Sequence, residues 1–264
     1  GTPAAVSCPL MLGLGFPAFA AVIAGMIIQS TPVSFGAVGT PMRTGVGSGL
    51  GAGSDQIVNE FAAQIGIPIV DAAGNLNQIA YYDHFIALFA HKTAILHFVG
   101  GFLTPLFLVG FMTRIFGKNK SWSEGFAIWP FALFGALAFT VPYILINHFV
   151  SYELTSMLGA LTGLVIVIFA AKKKFLTPKE DETWDFLDKK DWDPSWTGSI
   201  DVKYVEKPGG MSTLVAWLPY VYVAGLILIT RLIPPVKNFL NSVIITYPKI
   251  GGLAENWAIL YSPG

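Results

Sequence analysis

Residues 1–42 carry no charged side chain; Arg43 is the first. One unbroken helix of that length would run about 63 Å, roughly twice the hydrocarbon core of a bilayer. The stretch therefore has to fold back on itself. Two places invite a break, Gly13-Leu14-Gly15-Phe16-Pro17 and the run from Thr31 to Pro41. Proline removes a backbone donor there, and glycine accepts dihedrals that other residues avoid. The pieces between the breaks, about a dozen residues each, are too short to cross a bilayer alone. Half-helices around a Gly/Pro/Ser/Thr elbow are how transporters build substrate sites at membrane depth.

The remaining sequence points the same way. Hydrophobic residues make up 53% of the chain and charged residues 12%, against about 25% charged in soluble domains. The mean hydropathy is +0.60. The predicted fold is all-α, a polytopic helical membrane protein with broken or re-entrant half-helices. Lys+Arg and Asp+Glu balance at 16 each, so no basic footprint argues for nucleic acid. Cys8 has no internal partner for a disulfide and reads as a small packing residue. The first residues lack a starting Met, a basic n-region and a cleavage site, so they do not read as a signal peptide. The chain opens mid-motif and closes as the apolar Trp257–Tyr261 segment begins, which reads as part of a longer protein.

Five stretches follow in order. Residues 1–43 are the broken-helix, re-entrant substrate-site segment. Residues 44–97 are an extracytoplasmic Gly-rich linker and interfacial amphipathic helices. Within them, Ile57, Val58, Phe61, Ala62 and Ile65 repeat at helical spacing, 71–75 is a turn, and a second surface helix covers about 77–97. Residues 98–171 hold three transmembrane helices, about 98–115, 123–149 and 154–171. Gly159 and Gly163, four apart, let a neighbouring helix come close. Residues 172–210 are a loop with eight Lys, nine acidic residues and Trp184, Trp192 and Trp196. Residues 211–264 supply a span near 214–230 and an outer segment leading toward a next span.

Arg114, Lys118 and Lys120 lie in one loop and Lys172-Lys173-Lys174 in another, two spans later. With the rest of 172–210, that side collects eleven of the sixteen basic residues. The positive-inside rule makes loops 114–123 and 172–210 cytoplasmic, in a multi-pass protein of the plasma (inner) membrane.

A small carboxylate entering the membrane must exchange water for fixed donors, and exposed N–H groups at a broken helix supply them. Thr31, Ser34 and Thr40 add hydroxyls, while Gly36 and Gly39 let a ligand approach the main chain. Thr2 belongs to a companion hairpin on this reading, and Arg43 is placed to pair with a carboxylate. The competing reading of the run is a Gly/Pro kink packed against a neighbour, with Arg43 an interfacial anchor. Asp83, His84, His91 and His97, with Lys92, form the densest titratable cluster and are the proton-coupling candidates. His84 and His91 share a helix face and His97 lies off it; on an interfacial helix all would be wet. His148 and Glu153 flank a short outer loop and are expected to be solvated. No metal-ligand spacing, nucleophile triad, phosphate loop or dinucleotide fingerprint is visible, so neither a cofactor nor an enzyme is expected.

Several blocks resemble one family. Gly1-Thr2-Pro3-Ala4, Leu12-Gly13-Leu14-Gly15-Phe16-Pro17 and Thr31–Pro41 resemble the L-lactate/glycolate permease family. So do Ser151-Tyr152-Glu153-Leu154, Ala216-Trp217-Leu218-Pro219-Tyr220-Val221 and Thr230-Arg231-Leu232-Ile233-Pro234-Pro235-Val236-Lys237. The resemblance implies a secondary transporter for L-lactate, glycolate and similar 2-hydroxymonocarboxylates with protons across the plasma membrane. Its partners would be the lipid bilayer, the anion and proton, and a missing C-terminal half or a complementing chain. The Gly-rich, amphipathic 43–83 stretch stands where that family is shorter. Two other functions fit the same residues, a channel-like small-anion pore and a non-transporting membrane subunit whose 172–210 loop binds a partner.

Overall fold

A computed structural model of the chain describes residues 2–47, 78–179, 183–197, 212–246 and 256–261. The amphipathic helix expected near 57–65 and the turn at 71–75 lie outside the described residues. Helices dominate, and among the described residues the strands are one antiparallel pair, Ile244–Thr246 with Asn256–Ala258. Among the described residues, four helices are long and apolar enough to cross a membrane: His84–Ile115, Trp129–Phe149, Tyr152–Lys172 and Val215–Leu232. Ala18–Gln29 and Val33–Val46 together form a fifth, broken span or a re-entrant loop. This is the polytopic all-α membrane fold expected from the sequence, broken helix included.

The first uncharged stretch folds back as its breaks predict. Thr2–Gly13 and Ala18–Gln29 are helices of twelve residues each, about 18 Å long. They are joined by Leu14–Pro17, where Gly15 has φ +95. They pack closely because Ala20, Ala21 and Ala24 are small and fully buried, and the Cys8 thiol donates to the Ala21 carbonyl at 3.5 Å.

One expected boundary disappears. The interfacial helix of 77–97 and the span of 98–115 are one helix, Gln78–Ile115. At 38 residues it is about 57 Å long and outreaches the hydrocarbon core. Gly100-Gly101 and Pro105 do not end it, because a glycine costs only about 1 kcal/mol in a helix and neighbouring helices can cover a proline's freed carbonyl. The segment expected to open a further apolar span near 257–261 instead supplies the strand Asn256–Ala258 and the buried Tyr261.

The chain divides into two units. The first comprises Gly1–Val33, Leu96–Tyr143 and Leu158–Gly210, and the second Ser34–Ile95, Ile144–Met157 and Met211–Gly264. In the first, Phe116 is buried against Ala20, Ala24 and Met112. The mixed-charge loop docks here through its aromatics. Trp196 meets the Phe116 ring edge-on at 4.9 Å, and Phe186 meets Phe16 at 5.0 Å. Trp192 Nε1 donates to the Leu187 carbonyl. Asp193 accepts from the Ser195 N–H and hydroxyl, which holds its carboxyl below the usual range. Outside these contacts the helices show large apolar side chains, Phe149 at 76% and Val165 at 68% exposure, which a bilayer covers.

Gly159 and Gly163 set one helix against another, as their spacing predicts. A Cβ at Gly159 would stand 3.2 Å from Tyr143 Cα, and one at Gly163 3.0 Å from the Ala138 carbonyl oxygen. Gly163→Leu is expected to force these helices apart and cost about 1–3 kcal/mol. Gly135→Ala, with open space around it, should be neutral or slightly stabilising. Thermal unfolding in detergent distinguishes the two.

Candidate anion-binding site

The second unit begins on strained backbone. After a single 3-10 turn, Val33–Phe35, three successive residues are left-handed: Ala37 (φ 45, ψ 50), Val38 (φ 56, ψ 45) and Gly39 (φ 72, ψ 14). Left-handed geometry costs an L-residue about 1–2 kcal/mol, and a β-branched residue rarely adopts it. The turn is pinned by fully buried Phe35 before it and Met42 after it. The Thr40 hydroxyl donates to the Ala37 carbonyl. Such strain persists only where surrounding structure over-determines it, and it clusters at functional sites. A π-helical segment, Pro41–Val46, follows. It carries Arg43, the first charge in the chain.

Gly39 lies against the backbone of Glu153; an added Cβ would sit 3.0 Å from Glu153 Cα. Glycine is thus required twice, for its dihedrals and for this approach. Glu153 lies in the single 3-10 turn, Tyr152–Leu154, that leads into Thr155–Lys172. Ser151 caps it by accepting from the Glu153 N–H at 3.1 Å, and a carboxylate in a first helical turn faces the positive end of the helix dipole. The residue is 4% exposed. The solvated position expected for it is therefore wrong: the Arg43 and Arg231 side chains and Tyr261 close over it.

Arg43 Nη1 donates to Glu153 Oε1 at 3.0 Å. The Tyr261 hydroxyl lies 3.3 and 3.1 Å from its two carboxylate oxygens and donates to the carboxylate. Arg231 Nη1 lies 3.8 Å from Oε1, and its Nη2 donates to the Tyr261 carbonyl at 2.7 Å. The Tyr261 ring also meets both guanidiniums, at 4.4 Å for Arg43 and 3.9 Å for Arg231, with Lys237 Nζ 5.9 Å from its centroid. Cation–π pairs contribute about 0.5–2 kcal/mol each, most where the cation is buried, as Arg231 is. Two guanidiniums thus flank one carboxylate, and Lys237 stands by the Tyr261 ring.

A cavity of about 290 Å³ opens beside it, lined by Arg43, Glu153, Lys237, His91, Asn147 and His148 among others. That size is near the lower end of small-molecule pockets, about 300–1,000 Å³. Hydrogen bonds fix the state of His91. The Thr155 hydroxyl donates to the backbone carbonyl of Ser151 or Tyr152 and accepts from Asn147 Nδ2 at 3.0 Å. Asn147 Oδ1 therefore faces His91 Nδ1, 2.8 Å away, as an acceptor. Nδ1 carries the proton, and Nε2 is left as the atom that can gain one.

The residues predicted from sequence divide between the units. Ser34, Gly36, Gly39, Thr40 and Arg43 belong to the elbow in the second unit, and His91 to its cavity. His84 is exposed on the same helix. Thr31 and His97 belong to the first unit. Thr31 is buried against Gly101, and its Oγ1 has no partner among the described residues. His97 Nδ1 lies 2.8 Å from the Tyr143 hydroxyl. The side chains of Thr2 and Asp83 lie outside the described residues. His148 is exposed at the cavity, its ring 4.6 Å from that of His91.

Sequence reasoning placed Glu153 in solvent and gave no role to Arg231, Tyr261, Lys237 or Asn147. A signal was available for the first two: each is an ionisable residue at the end of an apolar span, where a charge needs a partner. Nothing in the spacing of Tyr261 or Asn147 announces a role.

These features define a polytopic membrane protein with a cation-rich pocket beside a broken helix. The L-lactate permease family model matches residues 1–252, and the chain belongs to that family. It is 29% identical over 185 residues to a putative L-lactate permease of Haemophilus influenzae, a match covering 70% of this chain and 28% of that protein. It is 26% identical over 243 residues to the L-lactate permease of Bacillus subtilis, covering 91% of this chain and 35% of that protein. The chain thus aligns with about a third of the length of these curated relatives. No solved structure matches.

Gly39→Ala is expected to cost about 1–3 kcal/mol through left-handed strain and the contact with Glu153. Gly36→Ala, with no atom near its added Cβ, should cost less. The yield of folded protein after detergent extraction, with its melting temperature, measures the difference.

Proposed function

We propose that the protein carries L-lactate and related 2-hydroxymonocarboxylates across the plasma membrane together with a proton, as a transporter rather than an enzyme. One observation supports this above the others: the second unit's cavity is walled by Arg43 and Lys237, and among the described residues Glu153 is the sole carboxylate side chain lining it. A monocarboxylate gains charge-assisted hydrogen bonds from a guanidinium, and a small hydroxyacid finds Asn147 and Ser151 on the same wall. The family membership supports the same substrate class.

His91 is the proton-coupling group in this reading. Its Nδ1–H is held by Asn147, and the cavity admits solvent to the ring. Imidazole changes charge near neutral pH. A proton accompanying the anion makes transport electrically neutral, so uptake does not work against a membrane potential that is negative inside. With the Arg114–Lys120 and Lys172–Lys174 loops cytoplasmic, the 150–154 turn between the two intervening spans faces outward, and the cavity receives substrate from that side.

The full-length protein in proteoliposomes should take up L-lactate saturably when the outside is made acidic. Fast, non-saturating flux indifferent to pH would instead identify an anion pore. Arg43→Gln should raise KM about tenfold or more, since it removes a charge-assisted contact. His91→Gln should weaken the stimulation of uptake by an inward proton gradient. Initial rates with labelled lactate measure both.

A further inference from the structure

Glu153 bonds only one of the two guanidiniums beside it. Its Oε1 accepts from Arg43 Nη1 at 3.0 Å but stands 3.8 Å from Arg231 Nη1, beyond hydrogen-bond reach. Arg231 is the more buried of the two, its side chain 7% exposed against 27% for Arg43. Among the described residues, Arg231 Nε and Nη1 have no acceptor. Leaving charged donors buried and unmatched is destabilising, so stability alone does not account for this arrangement. Two N–H groups stand ready for a carboxylate that is one short step away.

We propose that Glu153 is an internal competitor of the substrate: an anion entering the cavity takes Arg43, and the Glu153 carboxylate passes to Nη1 and Nε of Arg231. The proposal rests on the anion-transport reading and adds the residue that the substrate must displace. Arg43 and Glu153 both line the cavity, so the bond between them is the one an incoming carboxylate meets. Closing 3.8 Å to the roughly 2.8 Å of a charge-assisted bond requires a shift of about 1 Å. Tyr261 need not move, because its hydroxyl lies within reach of both carboxylate oxygens and its ring meets both guanidiniums.

After the exchange each carboxylate has its own arginine, and no buried charge is stranded. The exchange also selects the ligand. A neutral molecule cannot replace Glu153 on Arg43, whereas one carboxylate suffices. Its effect reaches beyond the cavity, since Arg231 stands in the last turn of Thr213–Leu232 and the Glu153 backbone touches Gly39. Occupancy at Arg43 thereby bears on the end of a membrane span and on the strained turn.

The test uses the full-length protein in proteoliposomes with labelled L-lactate. Glu153→Gln removes the competitor, and KM should fall about tenfold. Turnover should fall as well, because the carboxylate that shuttles between arginines is gone. Glu153→Asp, which keeps a carboxylate, should restore part of the turnover and move KM back toward wild type. An unchanged or raised KM in Glu153→Gln, at wild-type amounts of folded protein, overturns the proposal. If that variant does not fold, Arg231→Gln decides. Without the receiving guanidinium Glu153 stays on Arg43, so KM should rise about fivefold or more; an unchanged KM overturns the proposal. A wild-type protein that moves no lactate would sink the transport reading itself. A wild type that does, with KM unaltered in the variants, would sink only the competitor.

Discussion

A carboxylate cannot stay ionised inside a membrane protein without partners, and Glu153 obtains them from three distant parts of the sequence. Arg43 comes from a π-helical turn, Arg231 from the end of a span, and Tyr261 from the turn after a short strand. Removing any one would leave charge or a polar group without its match in a low-dielectric setting, a cost of several kcal/mol for an unpaired ion. This requirement makes the second unit cohere. It also explains the position of Gly39, whose missing side chain lets the left-handed turn close on the Glu153 backbone.

The first unit is organised by different physics. Its helices approach through Ala20, Ala21, Ala24, Gly159 and Gly163, small residues that trade side-chain volume for backbone contact. Its end is covered by aromatic rings, with Trp196 and Phe186 of the charged loop set on Phe116 and Phe16. Apolar packing holds this unit, while fixed charge holds the other. A pocket for an anion requires the second kind, because only unbalanced cations and oriented donors replace the water that a carboxylate loses.

Much of the architecture was legible from residues alone because a bilayer allows few solutions. The twelve-residue half-helices and the spans near 123–149, 154–171 and 214–230 follow from uncharged length, proline and glycine. The split expected at residue 97 was not there, since the helix Gln78–Ile115 runs on through Gly100-Gly101 and Pro105. Within the site, Arg43 and His91 were visible as charges or titratable groups beside apolar runs. The burial of Glu153 was not, because a charge at a span end reads as solvated until its partners are known.

What the sequence by itself determined is the class of fold and the places where its helices must break. Both follow from local composition and from the need to satisfy every backbone group within the hydrocarbon. What only the tertiary structure decided is which charges meet. Arg43, Glu153, Arg231 and Tyr261 are separated by 30 to 110 residues in successive steps of the network. No periodicity encodes contacts of that range. They depend on the folded path of the chain, which brings two guanidiniums and a tyrosine hydroxyl around one carboxylate and leaves a cavity at its side.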